Sequence, residues 1–119
     1  MKVEFTIDYA ITGADSMNKI YSGQFWARRR EYAAMIHFLT EAAMKQAKVK
    51  DVMPGPVAVT VEYPECGIDI DNLSYFAKCV IDGMKKRIVT DDSPRYVRSL
   101  TQRFYGGKLI KVIVEERDA

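Results

Sequence analysis

The sequence predicts a mixed α/β fold of the α+β kind, with two main helices packed on one mixed β-sheet. It reads as a single domain over residues 1–119, with elements in the order β-α-β-α-β-β. Three observations predict this. Residues 2–9, 57–63 and roughly 95–116 carry the period-two alternation or the β-branched density of strands. Two stretches, about 25–47 and the run after Asp71, repeat apolar residues at steps of three and four, as a helix with one buried face does. Strands and helices that alternate in a short chain bury their apolar sides by stacking in layers.

The first strand rests on Val3, Phe5 and Ile7, which alternate with Lys2, Glu4, Thr6 and Asp8. Residues 10–24 hold Gly13, Asp15, Ser16, Asn18, Ser22 and Gly23, a loop composition. The loop is long for a small domain, and long ordered loops are often functional. From Phe25 to Ala47 the stripe Phe25, Arg29, Tyr32, Ile36, Leu39, Ala43 predicts a helix, filled in by good helix formers such as Ala33, Ala34, Glu41 and Ala42. His37, the single histidine, lies beside that stripe and is given no role.

Pro54-Gly55-Pro56 punctuates the chain. Val57, Val59, Val61 and Tyr63 then share one side of a second strand, closed by Pro64. Leu73, Phe76, Ala77, Val80, Ile81 and Met84 form the cleanest helical stripe in the chain. On its flank lie Asp71, Tyr75, Lys78, Asp82 and Lys85, and Asp82 to Lys86 is a possible i, i+4 pair. Asp91-Asp92-Ser93-Pro94 marks a turn. A strand over residues 95–105, Gly106-Gly107 and a strand over 108–116 read as a hairpin. The last strand holds Leu109, Ile110, Val112, Ile113 and Val114, so it is expected to be central or covered on both faces.

With 119 residues, 48% hydrophobic and 29% charged, the chain suits one domain with a real core. No apolar run approaches the roughly 20 residues of a membrane helix. The first residues alternate as a strand does and show no signal-peptide core, and Cys66 and Cys79 make no disulfide framework. A cytoplasmic protein is expected. The net charge of +2 does not announce a nucleic-acid binder. Its distribution says more: Arg28–Arg30, Lys45/Lys48/Lys50, Lys85–Arg87 and Arg95/Arg98/Arg103 form four basic groups, compatible with a face for phosphates.

The stretch Gly67-Ile68-Asp69-Ile70-Asp71-Asn72-Leu73 carries the sharpest chemical signal. On an extended segment Asp69 and Asp71 would point to one side. Two carboxylates that close repel unless a cation sits between them, and Mg²⁺ takes oxygen ligands. An Asp-rich turn capping the following helix through Asp71 or Asn72 is the other reading, and spacing alone leaves both open. Asp91-Asp92 is a second acidic pair with the same electrostatic cost.

Together these residues resemble the RusA family of Holliday junction resolvases. The family order is D-x-D-N-L, a lysine, an apolar-Asp-small-apolar helix segment and a D-D-S turn. Here it is met by Asp69-Ile70-Asp71-Asn72-Leu73, Lys78, Ile81-Asp82-Gly83-Met84 and Asp91-Asp92-Ser93. Ser16 to Tyr21, Phe25-Trp26 and Arg28/Arg29 are similar to an N-terminal region of phage and prophage members. The resemblance implies a homodimeric, Mg²⁺-dependent endonuclease, with Mn²⁺ as a possible substitute, that resolves four-way DNA junctions by paired nicks in a bacterial or phage-infected cell. By family pattern Asp69, Asp71 and Asp92 are catalytic, with Lys78; Asp69, Asp71, Asp92 and Asp91 are the metal ligands. Lys19, Arg28, Arg29, Arg95 and Arg98 are candidates for DNA phosphates. One departure stands out. The family lysine follows D-x-D by four residues, where this chain has Tyr75; Lys78 comes at seven, as after a three-residue insertion. A non-catalytic binder of branched DNA on the same scaffold, and a small α/β interaction domain with structural aspartates, remain open alternatives.

Overall fold

The computed structural model describes residues 1–22, 26–50, 52–85 and 87–117, and only the backbone of Trp26. Phe25 of the expected helical stripe, the Lys86 partner expected for Asp82, and the Trp26 side chain lie outside the described residues.

A four-stranded mixed sheet forms from β1 (Lys2–Ile7), β2 (Val57–Pro64), β3 (Val97–Tyr105) and β4 (Ile110–Glu116). The spatial order is β1-β4-β2-β3. β4 runs antiparallel to both β1 and β2, with Val112 opposite Phe5 on one side and Val61 on the other. β3 pairs with β2 in parallel. The hairpin expected between β3 and β4 is therefore corrected: β2 lies between them. The burial explains it. Ile110, Val112 and Val114 have no exposed surface and Ile113 has almost none, so β4 needs neighbours on both edges. β3 carries only half-buried and exposed residues, which suits an edge. Gly106-Gly107 thus opens a crossing past the end of β2. The expectation of a central last strand holds.

The two main helices are α2 (Trp26–Gln46) and α3 (Ser74–Met84). All six residues of the α3 stripe, Leu73 to Met84, are buried, and Phe76 meets Tyr63 of β2 edge to face at 5.9 Å. On α2 the stripe holds at Ile36 and Ala43, with Tyr32 and Leu39 half-buried. Thr40 and Met44 are also fully buried, which the stripe did not foresee. The cause is the close crossing with α3. A Cβ on Gly83 would stand 3.0 Å from Thr40 Cβ and 3.3 Å from His37 Cα, so the glycine lets the two helices meet there.

The expected loop after β1 contains a 3₁₀ turn, Gly13–Asp15, and a short helix α1, Met17–Ile20. Thr12 and Asp15 form a reciprocal cap: Thr12 Oγ1 accepts from the Ala14 amide, and Asp15 Oδ2 accepts from the Thr12 amide at 2.8 Å. Asp15 is completely buried, and its Oδ1 accepts from Tyr9 OH at 2.7 Å and from Tyr32 OH at 2.8 Å. This ties the segment to α2. Among the described residues no helix is long and apolar enough to cross a membrane.

Candidate functional site

β2 ends at Pro64, and Gly67, at φ 75°, turns the chain in a conformation that glycine adopts freely. Ile70–Leu73 then winds into a 3₁₀ turn that leads directly into α3. Leu73 is fully buried and Ile70 half-buried, so packing of these two sets the path. The side-by-side arrangement expected for Asp69 and Asp71 on an extended segment is corrected by this. In a turn of three residues, a step of two does not return to the same face. Both aspartates are exposed. The capping alternative fares no better: the residue before α3 is Leu73, and neither the 3₁₀ turn nor α3 has a side-chain cap.

From this turn a groove runs along the flank of α3, between it and edge strand β3. Its first part is a cavity of about 590 Å³ lined by Glu65, Cys66, Ile68, Asp69, Gln102 and Phe104, among others. Its second part, about 230 Å³, is lined by Ser74, Lys78, Ile81, Asp82, Asp92, Val97 and Leu100. One hydrogen bond links the two linings, Gln102 Nε2 of the first donating to Ser74 Oγ of the second at 3.2 Å, with Gln102 Oε1 accepting from Tyr63 OH at 2.6 Å. Asp69 thus opens the groove, and Asp82 and Asp92 close it.

The far end is an ion network. Lys78 Nζ donates to Asp82 Oδ2 at 2.9 Å. Lys85 Nζ stands 3.5 Å from Asp82 Oδ1 and 3.3 Å from Asp92 Oδ2. Asp82 is the hub: its side chain is 18% exposed, against 62% for Lys78. Its hydrogen bond holds the Lys78 ammonium above the ordinary lysine value, and the bond to Asp92 does the same for Lys85. Desolvation, the largest single influence, works against the ionised form of Asp92. The combined pull of its polar neighbours, with the Lys85 ammonium 3.3 Å from Asp92 Oδ2, outweighs it and keeps the carboxyl below its ordinary range. Asp91 is half-buried beside it.

Asp69 and Asp71 do not join this network. Ser74 and Asp82 are eight residues apart on α3, about 12 Å along the axis at 1.5 Å per residue. The three-residue insertion inferred from the sequence amounts to most of one such turn. Among the described residues no three His, Cys, Asp or Glu side chains gather closely enough to hold a metal ion. The oxygen donors suit Mg²⁺ in kind, but as placed they do not make a cage.

Tyr75 points away from the groove. Its ring meets Tyr21 edge to face at 5.3 Å and stacks near Tyr32 at 5.9 Å. It therefore offers the groove nothing in place of a lysine. The basic candidates are spread out. Lys19 is exposed in the last turn of α1, and Arg28 is exposed at the start of α2. The Arg29 guanidinium lies 4.6 Å from the Tyr21 ring centroid. Arg95 covers Tyr96 at 5.6 Å, and Arg98 donates to the Pro94 carbonyl at 3.4 Å.

Lys85 and Gln102 are site residues that the motif reading passed over. Lys85 was visible as the next step of the Tyr75-Lys78-Asp82 flank. Gln102 lies on a strand far along the chain, and nothing local marks it. Compared with protein-family models and with curated proteins, the chain matches none.

Proposed function

We propose that this chain is a Mg²⁺-dependent endonuclease of branched DNA, a homodimer related to the RusA resolvases its motifs resemble, acting in the cytoplasm of a bacterial or phage-infected cell. The observation that carries the reading is the convergence of Lys78 and Asp82 with Asp92 at one end of a groove that Asp69 opens. Hydrolysis of a phosphodiester adds water across one P–O bond. It calls for positive charge beside the phosphate oxygens and a base for the proton of water. Lys78 and Lys85 supply the first and the carboxylates the second. By the resemblance, Asp69, Asp71, Asp91 and Asp92, once drawn together, would hold Mg²⁺ or Mn²⁺, which would supply Lewis acidity and lower the pKa of bound water. Two copies about a two-fold axis would account for paired nicks.

One observation favours a second reading, a binder of branched DNA that does not cut. Tyr75 stands where the family places its lysine and is taken up by Tyr21 and Tyr32. A synthetic four-way junction separates the two, incubated with Mg²⁺ or Mn²⁺ and with either the native protein or Asp92→Asn. Paired nicks from the native protein alone, with junction binding kept in the variant, are the expected result. Nicking by Asp92→Asn at the native rate would remove the carboxylate end of the groove from the chemistry. Binding without nicks in either metal would establish the second reading. Neither binding nor cleavage would leave an interaction domain with structural aspartates.

A further inference from the structure

Two of the four basic groups, Lys45/Lys48/Lys50 and Lys85–Arg87, are far apart in sequence. The fold brings Lys50 from the first and Lys85 and Arg87 from the second to one cavity of about 320 Å³, whose lining is completed by Glu41 and Gly83. Three cations and one carboxylate therefore face a common space. The carboxylate is already engaged: Glu41 Oε1 lies 3.4 Å from Arg87 Nη2 and 3.6 Å from Lys45 Nζ. Arg87 is braced a second time, with Nη1 donating to the Val49 carbonyl at 3.5 Å. A guanidinium held at both ends is oriented in advance, which lowers the entropy cost of binding through it. At about 30 Å³ per water the space equals roughly ten waters, ample for a hydrated phosphate group.

The position matters as much as the charge. Lys85 lines this cavity and also pairs with Asp82 and Asp92, which line the end of the groove. Lys85 thus lines the basic cavity and reaches with its ammonium to two carboxylates of the other. The larger cavity at the groove's start suits an anion less well: its lining sets Glu65 and Asp69 against Arg103, which Glu62 already holds at 2.6 Å.

We propose that the cavity of Lys50, Lys85 and Arg87 is a phosphate-binding subsite, taking a DNA backbone phosphate that neighbours the one at Lys78, Asp82 and Asp92. The chemistry recognised is a phosphate oxygen, met by a guanidinium and two ammonium groups. That the phosphate belongs to DNA rests on the function proposed above; the phosphate chemistry does not.

The test uses the full chain with Lys50→Met and Arg87→Gln. Lys50 is exposed, so its variant is expected to fold; circular dichroism checks Arg87→Gln. One arm measures binding of a labelled four-way junction against salt concentration. Each variant is expected to weaken binding several-fold and to reduce the steepness of log K against log salt by about 1. The other arm titrates inorganic phosphate and follows the backbone amides of Lys50, Gly83, Lys85 and Arg87 by NMR. Native-like junction affinity and salt slope in both variants would overturn the subsite while leaving DNA binding intact. If the native protein binds no junction, the phosphate arm decides. Saturable shifts at these amides that weaken in Lys50→Met would keep the site and assign it to a free phosphate. No such shifts would overturn it.

Discussion

Asp15 and Asp82 are both aspartates with several polar partners, and the molecule uses them in opposite ways. Asp15 is fully buried, and among the described residues its hydrogen-bond donors are neutral: two tyrosine hydroxyls and one backbone amide, all within 2.8 Å. Asp82 sits at the groove with two ammonium groups and another carboxylate beside it. Neutral donors in a dry interior fix geometry, because an unmade bond there costs heavily. Long ammonium side chains at a solvent boundary can be exchanged for another cation at little cost. The first arrangement makes scaffold; the second leaves chemistry available. They are also coupled. Tyr32, held by Asp15, stacks on Tyr75 of α3, and the adjoining flank of α3 carries Lys78 and Asp82.

The sharpest way to break the contrast is Asp15→Ala. It strands Tyr9 OH and Tyr32 OH beside a fully buried position, where each unpaired donor costs about 1–3 kcal/mol, and leaves the exposed Thr12 amide to water. A loss of about 3 kcal/mol or more is expected, read as a lower urea midpoint at an unchanged slope. Asp82→Ala is expected to cost clearly less stability. Equal losses for the two variants would show that the regions do not differ in kind.

Alkaline pH tests the same hydroxyls without a substitution in the carboxylate. Burial first, then the hydrogen bond and charge of Asp15, push the phenols of Tyr9 and Tyr32 well above the ordinary tyrosine value of 10.0. The folded state therefore keeps protons that the unfolded chain gives up. This stability is complete below about pH 10 and falls as pH rises beyond it, by at most about 1.4 kcal/mol per pH unit for each tyrosine. Urea titrations between pH 9 and 11 are expected to show the fall, and Tyr32→Phe should make it shallower. A native protein equally stable across that range would mean these hydroxyls are not held as described.

The scaffold was far more legible in the sequence than the site. The alternation in Val57–Tyr63 and the stripe Leu73–Met84 reappear as buried faces because burial of apolar area is what both patterns encode. The Gly106-Gly107 hairpin misled because turn chemistry is local, whereas strand order was decided by β4 needing two neighbours. Asp69 and Asp71 misled for a related reason. Spacing speaks to geometry only once the backbone type is known, and the anchoring of Ile70 and Leu73 produced a 3₁₀ turn rather than an extended run. Asp15 left a usable trace, since Thr12-Ala14-Asp15 has capping-box spacing, but its tyrosine partners are brought in by tertiary packing. The meeting of Lys85 with Asp92 across a turn left no trace of its own.

That meeting supplies the smallest expected effect and the finest probe of the groove. Lys85→Met should let the Asp92 carboxyl rise toward its ordinary value, followed by NMR of its side-chain carbon. Lys78→Met, which removes a partner of Asp82 only, should move Asp92 much less. The sign for stability follows from the lowered value of Asp92: its contribution is present above about pH 4 and is lost as pH falls through the folded-state value. Any stability difference between native protein and Lys85→Met should therefore be slight at neutral pH, for a pair this exposed, and vanish in acid. An Asp92 that titrates identically in both proteins would show that Lys85 does not hold it. The groove's end would then be a chance crowding of charges rather than a set of partners ready to be exchanged.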